Sequence, residues 1–191
     1  LNLCRPDFRG WEHDFLFTLA NQNHQTLRGH KDGIYGVAFS PDGKLLASAG
    51  RGHSDEQGSY SPGEVKVWDP ASGQLLLTLP PVPGPVTTIC YSPDGRYLAA
   101  GSGDLLKPAE VTVWDARTGR SVRRLPLQAT FVSRVCSSPD GRSLAAACWN
   151  FPKPGEIKLW DVDSGQELLT LRGHASRVPA IAFSGDGRHL A

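Results

Sequence analysis

The chain of 191 residues carries 20 Lys and Arg against 19 Asp and Glu, a net charge of +1. The sequence also has no basic stripe, so we expect no electrostatic binding of nucleic acid. No apolar run reaches the roughly 18 residues of a membrane-spanning helix. The four cysteines lack metal-type spacing, so we expect a reduced, cytoplasmic protein with no metal or other cofactor.

The first 22 residues predict a short amphipathic helix. Pro6 suits the first turn of a helix, and Asp7 complements the N-terminal dipole. Trp11, Phe15 and Leu19 then recur at i, i+4 and i+8, which places them on one apolar stripe. We therefore expect residues 1–22 to form a helical arm or linker that docks against its neighbour.

From residue 23 onward the sequence repeats. An aliphatic–polar–aliphatic–Trp–Asp run occurs at residues 65–69, 111–115 and 157–161. A Ser-Pro-Asp-Gly or Ser-Gly-Asp-Gly tetrapeptide occurs at residues 40–43, 92–95, 138–141 and 184–187. Both intervals between the tryptophans of the run are 46 residues. A fixed period of this size indicates one supersecondary unit repeated along the chain.

Each repeat predicts four short antiparallel strands. In the first repeat they cover residues 34–40, 45–49, 65–68 and 74–79. The first of these segments alternates apolar and small residues, as a half-buried strand does. Ser-Pro-Asp-Gly forms a tight turn, because proline presets φ and glycine accepts a positive φ. Four antiparallel strands in one repeat correspond to a single propeller blade.

Gly-His, Ser-Pro-Asp-Gly and Trp-Asp, in this order and register, resemble the WD40 repeat family over residues 23–191. The resemblance implies an all-β fold that is part of a β-propeller. Its complete blades would be residues 33–79, 86–125 and 132–171, with an incomplete fourth blade at 174–191. Since such propellers close with about four to eight blades, we expect an internal fragment of a larger protein.

Residues 7–12, Asp-Phe-Arg-Gly-Trp-Glu, are similar to the segment that precedes WD40 arrays in large bacterial multidomain proteins. Those proteins often carry a serine/threonine kinase domain further upstream. The resemblance therefore implies an association with a kinase domain, although no kinase motif lies in residues 1–191.

The resemblance also implies a hydrogen-bond network inside the first blade. His30 would pair with Ser48 on the second strand and Trp68 on the third, because a hydroxyl and an indole N–H beside a buried imidazole satisfy one another's polar atoms. The family's usual Asp, six residues before the Trp, is replaced by Pro62. Structural roles are also implied for the Trp-Asp residues Asp69, Trp114, Asp115, Trp160 and Asp161.

The second and third repeats lack this network. The histidine position holds Val82 and Gln128. The serine position holds Ala100 and Ala146. We therefore expect apolar packing alone to hold these two blades together.

The connections between the second and third strands differ in every repeat, at residues 50–63, 101–109 and 149–155. All three close on Pro-Gly-Glu or Pro-Ala-Glu, which we interpret as a turn. Before that turn the first and third connections carry aromatic side chains, the residue type that dominates binding hot spots, whereas the second carries Leu105, Leu106 and Lys107. The candidate partner-binding residues are Tyr60, Trp149 and Phe151, with Tyr35 and Phe131 nearer the channel. Trp149 has an alternative role, as a plug folded back onto its own blade.

Two functions remain. The first is a non-catalytic protein–protein interaction platform inside a larger protein, with a protein or peptide partner of unknown identity bound through the long loops of one face. The alternative is a propeller hydrolase or lyase whose active site at the channel mouth would be supplied mainly by blades outside this chain. The first strands bring Tyr35, Thr87, Ser133 and Pro179 to that mouth. None of these is a carboxylate, histidine or cysteine, so we expect no catalytic residue in this chain.

Overall fold

The computed structural model describes residues 25–52, 62–104, 107–150 and 152–191. All the secondary-structure elements assigned within these residues are β-strands, which confirms the predicted all-β class. The described residues include no long apolar helix of the kind that could cross a membrane. The predicted helical arm at residues 1–22 lies outside the described residues.

Twelve strands form three sheets of four. The first sheet contains β1 (Ile34–Phe39), β2 (Leu46–Gly50), β3 (Glu64–Trp68) and β4 (Leu75–Thr78). The second contains β5 (Val86–Tyr91), β6 (Tyr97–Asp104), β7 (Lys107–Asp115) and β8 (Ser121–Pro126). The third contains β9 (Phe131–Ser137), β10 (Ser143–Trp149), β11 (Glu156–Asp161) and β12 (Glu167–Leu171). Each sheet is an antiparallel meander whose strands pair in chain order.

The first strands of the three sheets lie side by side and run parallel, because equivalent positions in successive repeats are in contact. A Cβ at Gly36 would lie 3.2 Å from Ile89 Cγ2 and 3.4 Å from Thr88 Cα, so glycine permits the close approach of β1 to β5. The Thr88 hydroxyl in turn accepts a hydrogen bond from the backbone N–H of Val135 at 3.2 Å. This stacking places equivalent ends of all three sheets on the same face of the molecule.

The core lies between neighbouring sheets. Trp68 and Trp114 are 2% and 0% exposed. Val65 and Val67 of the first sheet pack in one cluster with Leu98 and Trp114 of the second. The periodic Trp-Asp runs thus supply the largest buried side chains, and they hold adjacent sheets together by apolar burial.

The connection at residues 101–109 differs from the predicted long loop. β6 and β7 continue through most of it, with Ser102 paired to Glu110 and Asp104 paired to Lys107. Backbone pairing therefore extends the hairpin where the side-chain pattern indicated a loop. The register shifts between Ser102 and Asp104, as at a β-bulge, and such an irregularity hides the strand period from the sequence.

The fourth repeat begins with a hairpin against the third sheet. Phe183 and Leu190 form an isolated bridge, flanked by paired backbone hydrogen bonds between Ala182 and Ala191 at 2.9 and 3.0 Å. Val178 and Ile181 pack on Ala145, Ala147 and Ile157 of the third sheet. Apolar burial thus continues from one repeat to the next.

Candidate partner-binding face

One edge of the sheets, called the connection face here, carries the connections between second and third strands together with the segments that enter each first strand. Backbone hydrogen bonds tie the two kinds of segment together. The N–H of Arg51 donates to Gly33 O at 3.0 Å, and the N–H of Thr130 donates to Trp149 O at 3.2 Å. Sequence-variable segments are therefore gathered on this face.

The opposite edge of the sheets, called the turn face here, carries the Ser-x-Asp-Gly turns. The Ser40 hydroxyl donates to Asp42 Oδ1 at 2.6 Å and accepts the N–H of Leu45 at 2.9 Å. The same pair of bonds recurs at Ser92, Ser138 and Ser184. These turns are therefore repeated structural elements with nearly identical internal hydrogen bonds.

The aspartates of the Trp-Asp runs close a second set of turns on this face. Asp69 accepts hydrogen bonds from the Ser72 hydroxyl at 2.6 Å and from the N–H of Ala71 at 2.8 Å. These bonds, the hydroxyl one foremost, lower the pKa of Asp69 below its ordinary value. Asp115 and Asp161 are held in the same way by Thr118 and Ser164. All three carboxylates are thus used inside their own turns.

Two of the five predicted partner-binding residues come together on the connection face. Phe131 and Trp149 face each other across β9 and β10, and their rings stack with centroids 5.1 Å apart and planes 22° from parallel. Both residues are half-buried. Trp149 therefore packs on the first strand of its own sheet and still presents part of its surface.

Tyr35 lies apart from this pair, on β1, and is 54% exposed. Its hydroxyl accepts a hydrogen bond from Arg51 Nη1 at 3.1 Å. Thr87 lies on β5, between the strands that carry Tyr35 and Phe131, and its hydroxyl donates to the carbonyl of Val132 at 2.6 Å. Tyr60 and Phe151 lie outside the described residues.

The first sheet contains a polar network at the connection face. His30 Nε2 lies 2.6 Å from Ser48 Oγ, and Trp68 Nε1–H donates to that oxygen at 2.7 Å. The Ser48 hydroxyl therefore connects the imidazole and the indole, and this connection links the segment before β1 to β2 and β3.

Sequence reasoning missed a carboxylate beside this network. Glu64 Oε2 lies 3.5 Å from His30 Nδ1 and 3.5 Å from Lys66 Nζ. At this distance Glu64 and the imidazole interact electrostatically and not through a hydrogen bond. The available signal was the last residue of Pro62-Gly63-Glu64, which supplies an acid where the family's usual Asp is replaced by Pro62.

The ionisation of His30 is coupled to this environment. Burial of the imidazole, and then the positive charge of Lys66, lower the pKa of His30 below its ordinary value of 6.5, against the opposing effect of Glu64. The unfolded chain therefore binds this proton more readily than the folded chain. The contribution of neutral His30 to stability is present above about pH 6.5 and is lost as the pH falls.

Comparison with known proteins agrees with this geometry. The family model for the WD domain, G-beta repeat, matches residues 21–69, 73–105, 119–161 and 165–191. The chain belongs to the WD40 repeat family. Its three described sheets are consistent with three blades of a WD40 propeller.

Several WD40 proteins are similar to parts of this chain. An uncharacterized WD repeat-containing protein of Synechocystis is 37% identical over 41% of this chain and 20% of its own length. Human apoptotic protease-activating factor 1 is 34% identical over 49% of the chain and 7% of its own length. Small ribosomal subunit protein RACK1y of rice is 31% identical over 48% of the chain and 24% of its own length. The alignments thus span less than a quarter of each of these relatives.

The Pro-Gly/Ala-Glu triplets have a shared role in the three blades. The N–H of Gly63 donates to Val82 O and Gly84 O, both at 3.0 Å. Ala109 and Gly155, at the equivalent positions, donate to the carbonyls of Ala129 and Ser176 at 2.9 and 3.0 Å. Each triplet therefore fixes the segment that leads into the next repeat.

In the second blade the indole N–H of Trp114 is buried without a hydrogen-bond partner. Ala100 stands where the first blade has Ser48: it pairs with Thr112, as Ser48 pairs with Lys66. The alanine supplies no acceptor, and Val82 at the histidine position is 2% exposed. As predicted from the sequence, no His–Ser–Trp network is present in this described blade.

We expect Ala100→Ser to stabilise the protein by about 0.5–1 kcal/mol, because the new hydroxyl accepts the buried Trp114 N–H. Chemical denaturation with a fixed m-value measures the change. Ala99→Ser is the matched control, because Ala99 precedes Ala100 in the same strand and is also buried. A hydroxyl at position 99 is expected to destabilise the protein. Equal effects of the two serines would show that a hydroxyl at position 100 does not accept the Trp114 N–H.

Within the described part of the chain, no three His, Cys, Asp or Glu side chains are grouped so that they could hold a metal ion.

Proposed function

We propose that this chain is a non-catalytic protein–protein interaction module that binds its partner through the connection face, with the Phe131–Trp149 stack as the main apolar anchor. The stack carries the proposal, since two half-buried aromatic rings held rigidly at a surface lose little side-chain entropy when a partner covers them. Tyr35 adds a third ring, which is 54% exposed, at the corresponding edge of β1. Tyr60 and Phe151 remain sequence predictions for the same surface.

The contrast between the two faces also supports this assignment. On the turn face, the same serine and aspartate hydrogen bonds recur in each repeat, so the side chains there serve the turns themselves. On the connection face, the segments differ in length and chemistry from blade to blade. Repeat proteins form specific binding surfaces from such variable segments on a regular framework.

The relatives give a broader context. One similar protein is named as part of the small ribosomal subunit, and membership of an assembly is consistent with an interaction role. The enzyme alternative, the cytoplasmic location and an upstream kinase domain remain predictions from the sequence. No contact in the described residues favours catalysis over binding.

We expect Trp149→Ala to weaken binding of the natural partner by about 2 kcal/mol, a loss of roughly 30-fold in affinity, because it removes the larger ring of the stack. The partner is captured by crosslinking from cell extract, purified, and titrated by isothermal calorimetry against wild type and variant. Circular dichroism and melting temperature establish that the variant is folded.

Lys44→Ala is the control for the opposite face. Lys44 follows a Ser-Pro-Asp-Gly turn, and its removal is expected to leave affinity unchanged. If Lys44→Ala abolished binding and Trp149→Ala preserved it, the partner would bind the turn face and the proposal would be wrong.

A further inference from the structure

A groove with a volume of about 340 Å³ opens beside Trp149 in the third blade. Its walls include Gln128, Lys153, Glu156, Lys158 and Arg172. Gln128 belongs to the segment that enters the blade, and Lys153 belongs to the β10–β11 connection. Glu156 and Lys158 lie on β11, and Arg172 directly follows β12. The groove therefore lies at the connection face, next to the proposed aromatic anchor.

The repeats show what occupies this place in the other blades. In the first blade His30 covers the end of the sheet with a side chain that is 5% exposed. In the second blade Val82 does so and is 2% exposed. The residue at the same repeat position in the third blade, Gln128, is exposed. The third blade thus leaves open a place that its two neighbours fill with a buried side chain.

The floor of the groove keeps the acid and lysine of the first blade. Glu156 and Lys158 stand at the repeat positions of Glu64 and Lys66. Lys158 Nζ is bound by Glu167 at 2.7 Å. Both partners of that pair also line the groove, so the charge of Lys158 is already neutralised.

The groove is lined by three cationic side chains, Lys153, Lys158 and Arg172, and by two carboxylates. Glu156 Oε1 accepts a hydrogen bond from Arg172 Nε at 2.9 Å, which leaves both terminal nitrogens of that guanidinium without a protein partner in the described residues. The Arg172 side chain is 68% exposed. Lys153 is exposed as well, and no carboxylate of the described chain lies within ion-pair distance of its ammonium. Glu156 and Glu167 are thus each paired with a cation, whereas Arg172 and Lys153 have side-chain N–H groups that make no hydrogen bond in the described residues.

We propose that the groove binds an acidic segment of a protein partner, with a carboxylate facing Lys153 and Arg172 and an adjacent apolar side chain packed on Trp149. Guanidinium and ammonium groups are the usual partners of a carboxylate, and charge-assisted hydrogen bonds are stronger than neutral ones. The inference rests on the proposed function, since it specifies the chemistry of the segment that the connection face recognises. Because the donors are solvent-exposed, binding should weaken as salt increases.

The test is a selection of random 12-residue peptides displayed on phage against the purified protein. We expect selected peptides to be enriched in Asp and Glu next to apolar residues. Synthetic copies titrated by fluorescence anisotropy should lose about tenfold in affinity on Lys153→Glu, and a similar amount when the peptide's acids are changed to amides. Lys44→Glu, which makes the same charge change on the turn face, should leave affinity within twofold.

The outcomes separate the two proposals. Peptides that lose affinity on Trp149→Ala but show no excess of acids, or that bind Lys153→Glu as tightly as wild type, would overturn the acidic preference and leave the binding face intact. Peptides indifferent to both substitutions, or no enriched peptides at all, would count against both. Nucleic acid bound at this groove in preference to peptide would also overturn the inference.

Discussion

Gly63→Ala is expected to destabilise the protein by about 3 kcal/mol, at the upper end of the usual cost of overpacking. A Cβ at this position would lie 2.5 Å from Gly84 O, 2.7 Å from Val86 Cγ2 and 3.0 Å from Val86 N. Two of these atoms are backbone, so they cannot move without disturbing the segment that enters the second blade. Moving that segment would also strain the hydrogen bonds from the Gly63 N–H to the carbonyls of Val82 and Gly84.

Denaturant unfolding of the purified protein measures this loss. The matched control is Gly185→Ala, because a Cβ there meets no atom within 4 Å and the change should be nearly neutral. A further comparison is built into the chain, since the equivalent position of the second blade already holds alanine, at Ala109. If the Gly63 and Gly185 variants unfolded at the same denaturant concentration, the close approach at Gly63 would not contribute to stability.

Ser48→Ala is expected to cost about 3 kcal/mol, because it leaves two buried polar groups without a partner and each costs roughly 1–3 kcal/mol. His30 Nε2 and Trp68 Nε1 both lie within 2.7 Å of the hydroxyl that is removed. Ser48 itself is 4% exposed, so water is poorly placed to replace it. The loss should appear in the melting temperature and in increased amide exchange along β2 and β3.

Ser102→Ala provides the control. This serine of the second blade is 1% exposed, and its hydroxyl has no hydrogen-bond partner. Removing an unpaired buried hydroxyl should be neutral or slightly stabilising. A loss for Ser102→Ala as large as that for Ser48→Ala would show that the serine volume matters and the His–Ser–Trp network does not.

The all-β class and the repeated four-stranded unit could be predicted because their signals recur at a fixed spacing in the sequence. The 46-residue steps between Trp68, Trp114 and Trp160, together with turn signatures in register, specify a repeated four-stranded unit. The four strands of the first sheet lie within one residue of their predicted bounds. Such signals are local, because turn chemistry and strand alternation depend on neighbours only a few residues away.

The candidate site was only partly predictable. Aromatic residues in variable connections indicated Trp149 and Phe131 separately, but their stacking depends on the register of β9 against β10. The strand extension of β6 and β7 was missed because a bulge interrupts the alternation there. The role of Glu64 was missed because no local pattern brings it to His30, which is 34 positions earlier in the chain.

The sequence by itself determined the repeat, the turns and the absence of the serine hydroxyl from the second and third blades. Only the tertiary structure decided which side chains meet across blades: the Glu64 carboxylate beside His30, the backbone packed against Gly63, and the groove left open at Gln128. The physical reason is the range of the interactions. Turns and strands arise from contacts within a few residues, whereas packing and charge pairing depend on how whole sheets are placed beside one another.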